Sequence, residues 1–148
     1  MTAWTTSDLA PLPHTAQNRC FGCGPANPRG LQLHFLRAPD STVVCPVAIP
    51  DLFEGPPGYV HGGILATLLD EAMSKSVRAL GLTAVTRHLE VDYRLPVPSG
   101  VPLRVEGRRT QSEGRKHWTE AQILDAEGRA LVRGKALFVE VPPHTPKS

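Results

Sequence analysis

The chain has 148 residues, of which 41% are hydrophobic and 20% charged. These values exclude a disordered or fibrous protein, and the length fits one domain that can bury a core without disulfides or metal. A formal net charge of +2 gives no reason to expect a nucleic-acid partner, although it suits anionic small ligands.

The first 30 residues lack hydrophobic periodicity, and they are predicted to form an extended N-terminal arm packed on the core. The stretch "CFGCGPANPRG" at 20–30 is rich in turn-forming glycine and proline. Its cysteines, Cys20 and Cys23, could suggest zinc with a further histidine or cysteine, but no second CxxC follows at a zinc-finger spacing. A structural turn without metal is therefore the favoured interpretation.

The chain contains three cysteines, and an odd number is not typical of a secreted disulfide framework. The N-terminus lacks the basic and apolar regions of a signal peptide, and the longest apolar run is too short to span a bilayer. We therefore expect a cytoplasmic protein with no membrane partner.

Alternating apolar residues predict two strands before a helix and four strands after it, joined by short turns. The helix is predicted to stop at Gly81, which follows its last residue. Such turns imply antiparallel pairing, and one helix on one sheet is an α+β layer architecture. The domain is predicted over 31–142, with a flexible C-terminal tail over 143–148. The predicted elements are strands at 31–38 and 41–49, a helix at 62–80, and strands at 84–95, 101–111, 115–124 and 130–141.

The predicted helix carries two adjacent acids in its apolar run "YVHGGILATLLDEAMSKSVRAL". Glu71 lies four residues before Lys75, which indicates a solvent-exposed ion pair. Asp70 lies about 150° from the centre of the apolar stripe, on a face of small or apolar residues that includes Met73 and Val77. That face is predicted to meet a second subunit. The structural alternative for Asp70 is an acid hydrogen-bonded to Ser74 or Thr67 at an interface.

Two glycines, Gly62 and Gly63, follow His61 at the predicted helix N-terminus. The unpaired N–H groups and the helix dipole there favour an anion or an oxyanion. His61 and Asp70 are nine residues apart, about 13–14 Å along a helix, so they cannot act on one substrate atom within one chain. Antiparallel helices across a two-fold axis would bring them together in a shared site.

Four stretches together resemble a known family: "CFGCGPANPRGLQLHF" (20–35), "FEGPPGYVHGGILATLLDEAM" (53–73), "TRHLEVDYRLPVPSG" (86–100) and "EGRKHW" (113–118). They are similar to the hotdog-fold acyl-CoA thioesterases of the phenylacetate-pathway type. The resemblance implies a hotdog fold, in which one long central helix is wrapped by a curved antiparallel sheet of about five or six strands. It also implies a homodimer, or a tetramer made of two dimers.

The resemblance further implies roles for individual residues. Asp70 takes the place of the catalytic carboxylate, which acts as general base or nucleophile, and Gly62, alone or with Gly63, supplies the N–H that polarises the thioester carbonyl. His61 lies near the carbonyl or the water, and Ser74 carries a hydroxyl near the carboxylate.

The remaining carried-over residues lie outside this part of the helix. Thr86 matches a hydroxyl that helps to place the nucleophile, and Arg115 and Lys116 match a basic segment that contacts coenzyme A. Some relatives carry Gln or Asn before the HGG motif to position water. Here Glu54 lies in that loop, where it could contact substrate or water.

The function predicted from these features is hydrolysis of an acyl-CoA thioester to free acid and coenzyme A, without cofactor or metal. Two alternatives remain open at this stage. One is a hydratase or dehydratase with the same fold, and the other is a non-catalytic acyl-CoA-binding protein.

Overall fold

A computed structural model describes residues 4–142 of the chain, so the predicted tail at 143–148 lies outside the described residues. One helix, α1 (Gly62–Arg78), packs on a sheet of antiparallel strands in the order β1-β2-β3-β5-β6-β7-β4. This confirms the hotdog architecture. The strands are β1 (Ala10–Pro11), β2 (Leu36–Arg37), β3 (Val43–Val47), β4 (Ala84–Tyr93), β5 (Leu103–Glu113), β6 (Lys116–Leu124) and β7 (Ala130–Glu140).

The sheet has seven strands within the described residues, more than the predicted five or six, because the N-terminal arm contributes β1. The strand predicted at 31–38 enters the sheet only at Leu36–Arg37. Gln32 has a φ of 50°, which interrupts an extended strand. The backbone N–H groups of Leu31 and Leu33 instead donate to the Phe21 and Gly22 carbonyls of the arm.

The sheet curves around α1 and covers more than its main apolar stripe. Met73 and Val77 are fully buried within the chain itself, so their predicted exposure to a second subunit was wrong. The sheet approaches α1 closely at Gly107, where a Cβ would lie 2.6 Å from the Ala72 carbonyl oxygen. Within residues 4–142, no helix is long and apolar enough to cross a membrane.

The two edges of the sheet differ in length and composition. β1 is two residues long and contains Pro11, which is typical of a protected edge. β4 forms the opposite edge, has ten residues, and pairs only with β7 among the described strands. Val85 and Tyr93 on β4 are each 52% exposed. A long edge with exposed apolar side chains favours pairing with another strand.

Candidate functional site

Asp70 is hydrogen-bonded to the edge strand β4. It lies in the middle of α1, half-buried, and its Oδ1 accepts a 2.6 Å hydrogen bond from the Thr86 hydroxyl. Thr86 lies where the β4–β7 register shifts, between Thr86 and His88, and such a bulge can redirect a side chain. Among residues 4–142, no donor contacts Asp70 Oδ2, which leaves that oxygen available to accept a proton.

The two glycines at the N-terminus of α1 differ in the hydrogen bonds that their N–H groups form. His61 is the N-cap, and its Nδ1 accepts a 2.9 Å hydrogen bond from the Gly63 N–H. The neutral His61 ring therefore carries its proton on Nε2, which can donate to a ligand. No acceptor within the described part of the chain takes the Gly62 N–H. Gly62, rather than Gly63, thus offers the N–H for an oxyanion.

Tyr93 contacts the predicted oxyanion site, and the sequence did not reveal this contact. Its hydroxyl donates a 2.8 Å hydrogen bond to the Gly62 carbonyl, and its ring lies 3.7–3.8 Å from where a Cβ on Gly62 would be. It therefore orients the backbone next to the Gly62 N–H. Its only sequence signal was its place in "TRHLEVDYRLPVPSG", where it resembles any aromatic residue of an alternating strand.

These contacts form two separate parts of a site on one chain. Asp70 and Thr86 form one part, and Gly62 and Tyr93 form the other. Gly62 and Asp70 are about 12 Å apart along the helix, whereas Thr86 and Tyr93 are about 23 Å apart along an extended strand. The two parts therefore do not meet within one protomer, although both lie on the β4 edge.

The predicted basic segment lies at the Asp70 end of the sheet. Arg115 and Lys116 are both exposed at the β5–β6 turn. Lys116 pairs with Val139, which pairs with Val85, the residue before Thr86. Two interstrand spacings, about 9.5 Å, thus separate Lys116 from β4. Arg115 also lines a groove of about 350 Å³ beside the residues that follow the helix, Gly81–Thr83.

The structure shows the positions of two further predicted residues, Glu54 and Ser74. Glu54 Oε2 accepts hydrogen bonds from the Ser99 hydroxyl at 2.5 Å and from the Gly58 N–H at 3.0 Å. Its carboxylate therefore braces the loop before α1, and contact with substrate stays a prediction. Ser74 is half-buried one turn after Asp70, and its role also stays a prediction.

Glu71 differs from its expected surface pairing. Among the described residues it forms no ion pair with Lys75; its Oε1 accepts a 3.2 Å hydrogen bond from the Cys20 thiol. Burial, reinforced by the Glu71 charge, raises the pKa of the Cys23 thiol to about 11, and a hydrogen bond with Lys75 opposes this rise. The arm therefore packs on the helix turn that carries Asp70.

The chain is similar to proteins that are already known. The family model described as "Thioesterase superfamily" matches residues 57–132. Acyl-coenzyme A thioesterase THEM4 of Xenopus laevis is 32% identical over 110 residues, which are 74% of this chain and 50% of that protein. The chain thus spans about half the length of this curated relative.

Two solved structures share the fold. A crystal structure of a thioesterase superfamily protein has a TM-score of 0.77 and 32% identity, covering 81% of this chain and 62% of that one. The PaaI protein of the E. coli phenylacetic acid degradation operon has a TM-score of 0.65 and 17% identity, covering 69% and 74%.

Proposed function

This chain belongs to the thioesterase superfamily, and we propose that it hydrolyses acyl thioesters of coenzyme A. The observation that carries the proposal is the 2.6 Å hydrogen bond from Thr86 to Asp70 Oδ1, which orients the carboxylate while leaving Oδ2 to accept a proton. The name of the THEM4 relative supports coenzyme A as the thiol.

In the proposed reaction, Asp70 Oδ2 removes a proton from a water molecule, whose oxygen attacks the thioester carbonyl carbon. The Gly62 N–H stabilises the negative charge on the carbonyl oxygen, assisted by the dipole of α1. The C–S bond then breaks, coenzyme A leaves as a thiolate that takes up a proton, and the free acid remains. Because a thioester is already activated, these groups suffice.

A homodimer is the proposed minimal active unit, because each chain separates the two parts of the site. We infer that β4 strands of two chains pair antiparallel about a two-fold axis between Leu89 and Glu90. This pairing would place Thr86 beside the partner's Tyr93. The Asp70 of one chain would then face the free Gly62 N–H of the other, and pairing would cover the exposed β4 edge.

An assay of free-thiol release tests the proposed activity. The purified protein should release thiol from at least one acyl-CoA in a panel of short, long and aromatic acyl groups. Tight binding of coenzyme A without turnover across the panel would contradict hydrolysis and favour a binding protein.

Replacing Tyr93 with phenylalanine should lower kcat several-fold with little change in KM. The Tyr93 hydroxyl orients the backbone of Gly62, and one such hydrogen bond contributes about 0.5–1.5 kcal/mol. Tyr59→Phe is the matched control, because Tyr59 is exposed and its hydroxyl forms no hydrogen bond to the described residues. Equal kcat values for the two variants would contradict the positioning role of Tyr93.

Replacing both Arg115 and Lys116 with alanine should raise KM for acyl-CoA several-fold and leave kcat nearly unchanged. These exposed cations would attract the phosphates of coenzyme A, so added salt should reduce the difference between variant and parent. Lys135→Ala removes an exposed cation from β7 and serves as the control. An unchanged KM in the Arg115/Lys116 variant would exclude this segment as the phosphate contact.

We also propose a cytoplasmic location. Cys20, Cys23 and Cys45 are all free thiols in the structure, which is typical of a reducing compartment. Fractionation of cells that express the full-length protein tests this proposal, and recovery with a membrane or exported fraction would contradict it.

A further inference from the structure

The CxxC turn of the arm and the helix meet in a cluster of potential metal ligands. The thiols of Cys20 and Cys23 and one carboxylate oxygen of Glu71 all lie within 4.8 Å of one another. Ligand atoms of a tetrahedral zinc ion lie about 3.5–3.8 Å apart. Side-chain adjustments of about 1 Å would therefore bring all three onto one ion. The sequence alone favoured a turn without metal, but Glu71 supplies a third ligand, and we propose that Cys20, Cys23 and Glu71 bind a zinc-like divalent cation, with water in the fourth position.

The backbone between the cysteines is shaped to hold Glu71 against them. A Cβ on Gly22 would lie 2.3 Å from Glu71 Cγ, and a Cβ on Gly24 would lie 2.4 Å from the Cys20 nitrogen. Only glycine at both positions permits this approach without displacement of neighbouring atoms. The Gly24 N–H also donates to the Cys20 carbonyl at 2.8 Å, which closes a tight turn that directs both thiols to one side.

The charges around the cluster suit a bound cation. Two thiolates and one carboxylate carry three negative charges, and a divalent ion reduces this to one. Lys75, one helical turn after Glu71 on α1, supplies the remaining positive charge. The Asn18 side-chain amide lies 3.7 Å from the Cys23 sulfur, where it can donate to a thiolate. Such an outer contact is typical of metal sites, so Asn18 can support the Cys23 thiolate that binds the ion.

Accessibility and ligand type indicate the class of ion. Cys23 is buried, whereas Cys20 and Glu71 are half-buried, so one side of the cluster remains open to water. Thiolate ligands favour zinc-like ions over magnesium or calcium. On binding, both thiol protons are released to solvent, so affinity should fall as the pH is lowered. The ion would fasten the arm to the helix turn that carries Asp70.

Cobalt binding tests the site directly, without use of catalytic activity. Untagged, fully reduced protein is titrated with Co²⁺, and we expect one equivalent per chain with thiolate-to-cobalt charge-transfer absorption that Zn²⁺ abolishes by displacement. Millimolar Mg²⁺ should leave the absorption unchanged. The Cys20→Ser/Cys23→Ser variant should lose it, and Glu71→Gln should weaken cobalt affinity by at least about tenfold. Cys45→Ser removes a buried thiol elsewhere and should bind like the parent.

Thermal unfolding gives a second measurement, because an ion that binds only the folded chain raises Tm. Zn²⁺ should raise the Tm of the parent and of Cys45→Ser, but not of the double cysteine variant. Absence of charge-transfer absorption in the reduced parent would overturn the proposal. Equal cobalt affinity in the double cysteine variant would also overturn it. Neither outcome depends on acyl-CoA turnover, so this site and the proposed hydrolase activity can fail separately.

Discussion

The Asp70→Asn variant should lose about 10²–10⁴ in kcat for acyl-CoA hydrolysis, the usual contribution of a positioned general base. Asparagine has nearly the same shape, and its amide oxygen can still accept the hydrogen bond from Thr86. It cannot take a proton from water. The dimer and the affinity for coenzyme A should therefore persist, so that the loss appears in kcat and not in KM.

Thiol-release kinetics, light scattering and coenzyme A binding measure these three properties separately. Asp51→Asn is a suitable control, because Asp51 is exposed and its carboxylate forms no hydrogen bond with another described side chain. Full activity in Asp70→Asn would exclude the proposed mechanism. Lost activity accompanied by a monomeric protein would instead assign Asp70 a structural role at the interface.

The sequence predicted the helix and the last four strands because their hydrophobic periods and turn residues are local signals. The N-terminal third was less predictable. The 31–38 segment alternates like a strand, but Gln32 adopts a positive φ, and Leu31 and Leu33 bond to the arm. Those partners lie about ten residues earlier in the chain, and no local pattern identifies which backbone groups will pair.

The candidate site was also predictable only in part from local sequence signals. Asp70 was singled out because it is an acid without a basic neighbour on an apolar helix, and its catalytic role stays a prediction. Glu71 was misinterpreted because Lys75 at i+4 suggests an ion pair, which contributes only about 0.2–0.5 kcal/mol. Contact with the cysteine turn of the arm displaces that pair. Tyr93 was missed because its partner is a backbone carbonyl on a distant helix, which no side-chain pattern reveals.

Mixing Asp70→Asn with Gly62→Pro subunits should restore about a quarter of wild-type activity, although each variant alone is nearly inactive. Random exchange makes half of the dimers mixed, and a shared site gives each mixed dimer one intact site of two. Gly62→Pro removes the oxyanion N–H, a loss that typically costs about 10²–10³ in rate.

The structure indicates that proline will be tolerated at this position. Gly62 is the first residue of α1, where proline is favoured, and His61 before it has φ −60° and ψ 136°, a conformation compatible with a following proline. A Cβ at Gly62 would make only ordinary contact with the Tyr93 ring. Circular dichroism of the variant should therefore match the parent.

A second mixture distinguishes shared sites from sites within one chain. Wild-type subunits are exchanged with a chain that carries both Asp70→Asn and Gly62→Pro, in equal amounts. If each site combines Asp70 of one chain with Gly62 of the other, every mixed dimer is inactive and about a quarter of full activity remains. If both groups act within one chain, every wild-type chain stays active and about half remains. A remaining activity of about half, together with no recovery when the two single variants are mixed, would contradict the shared site even if Asp70 proves essential.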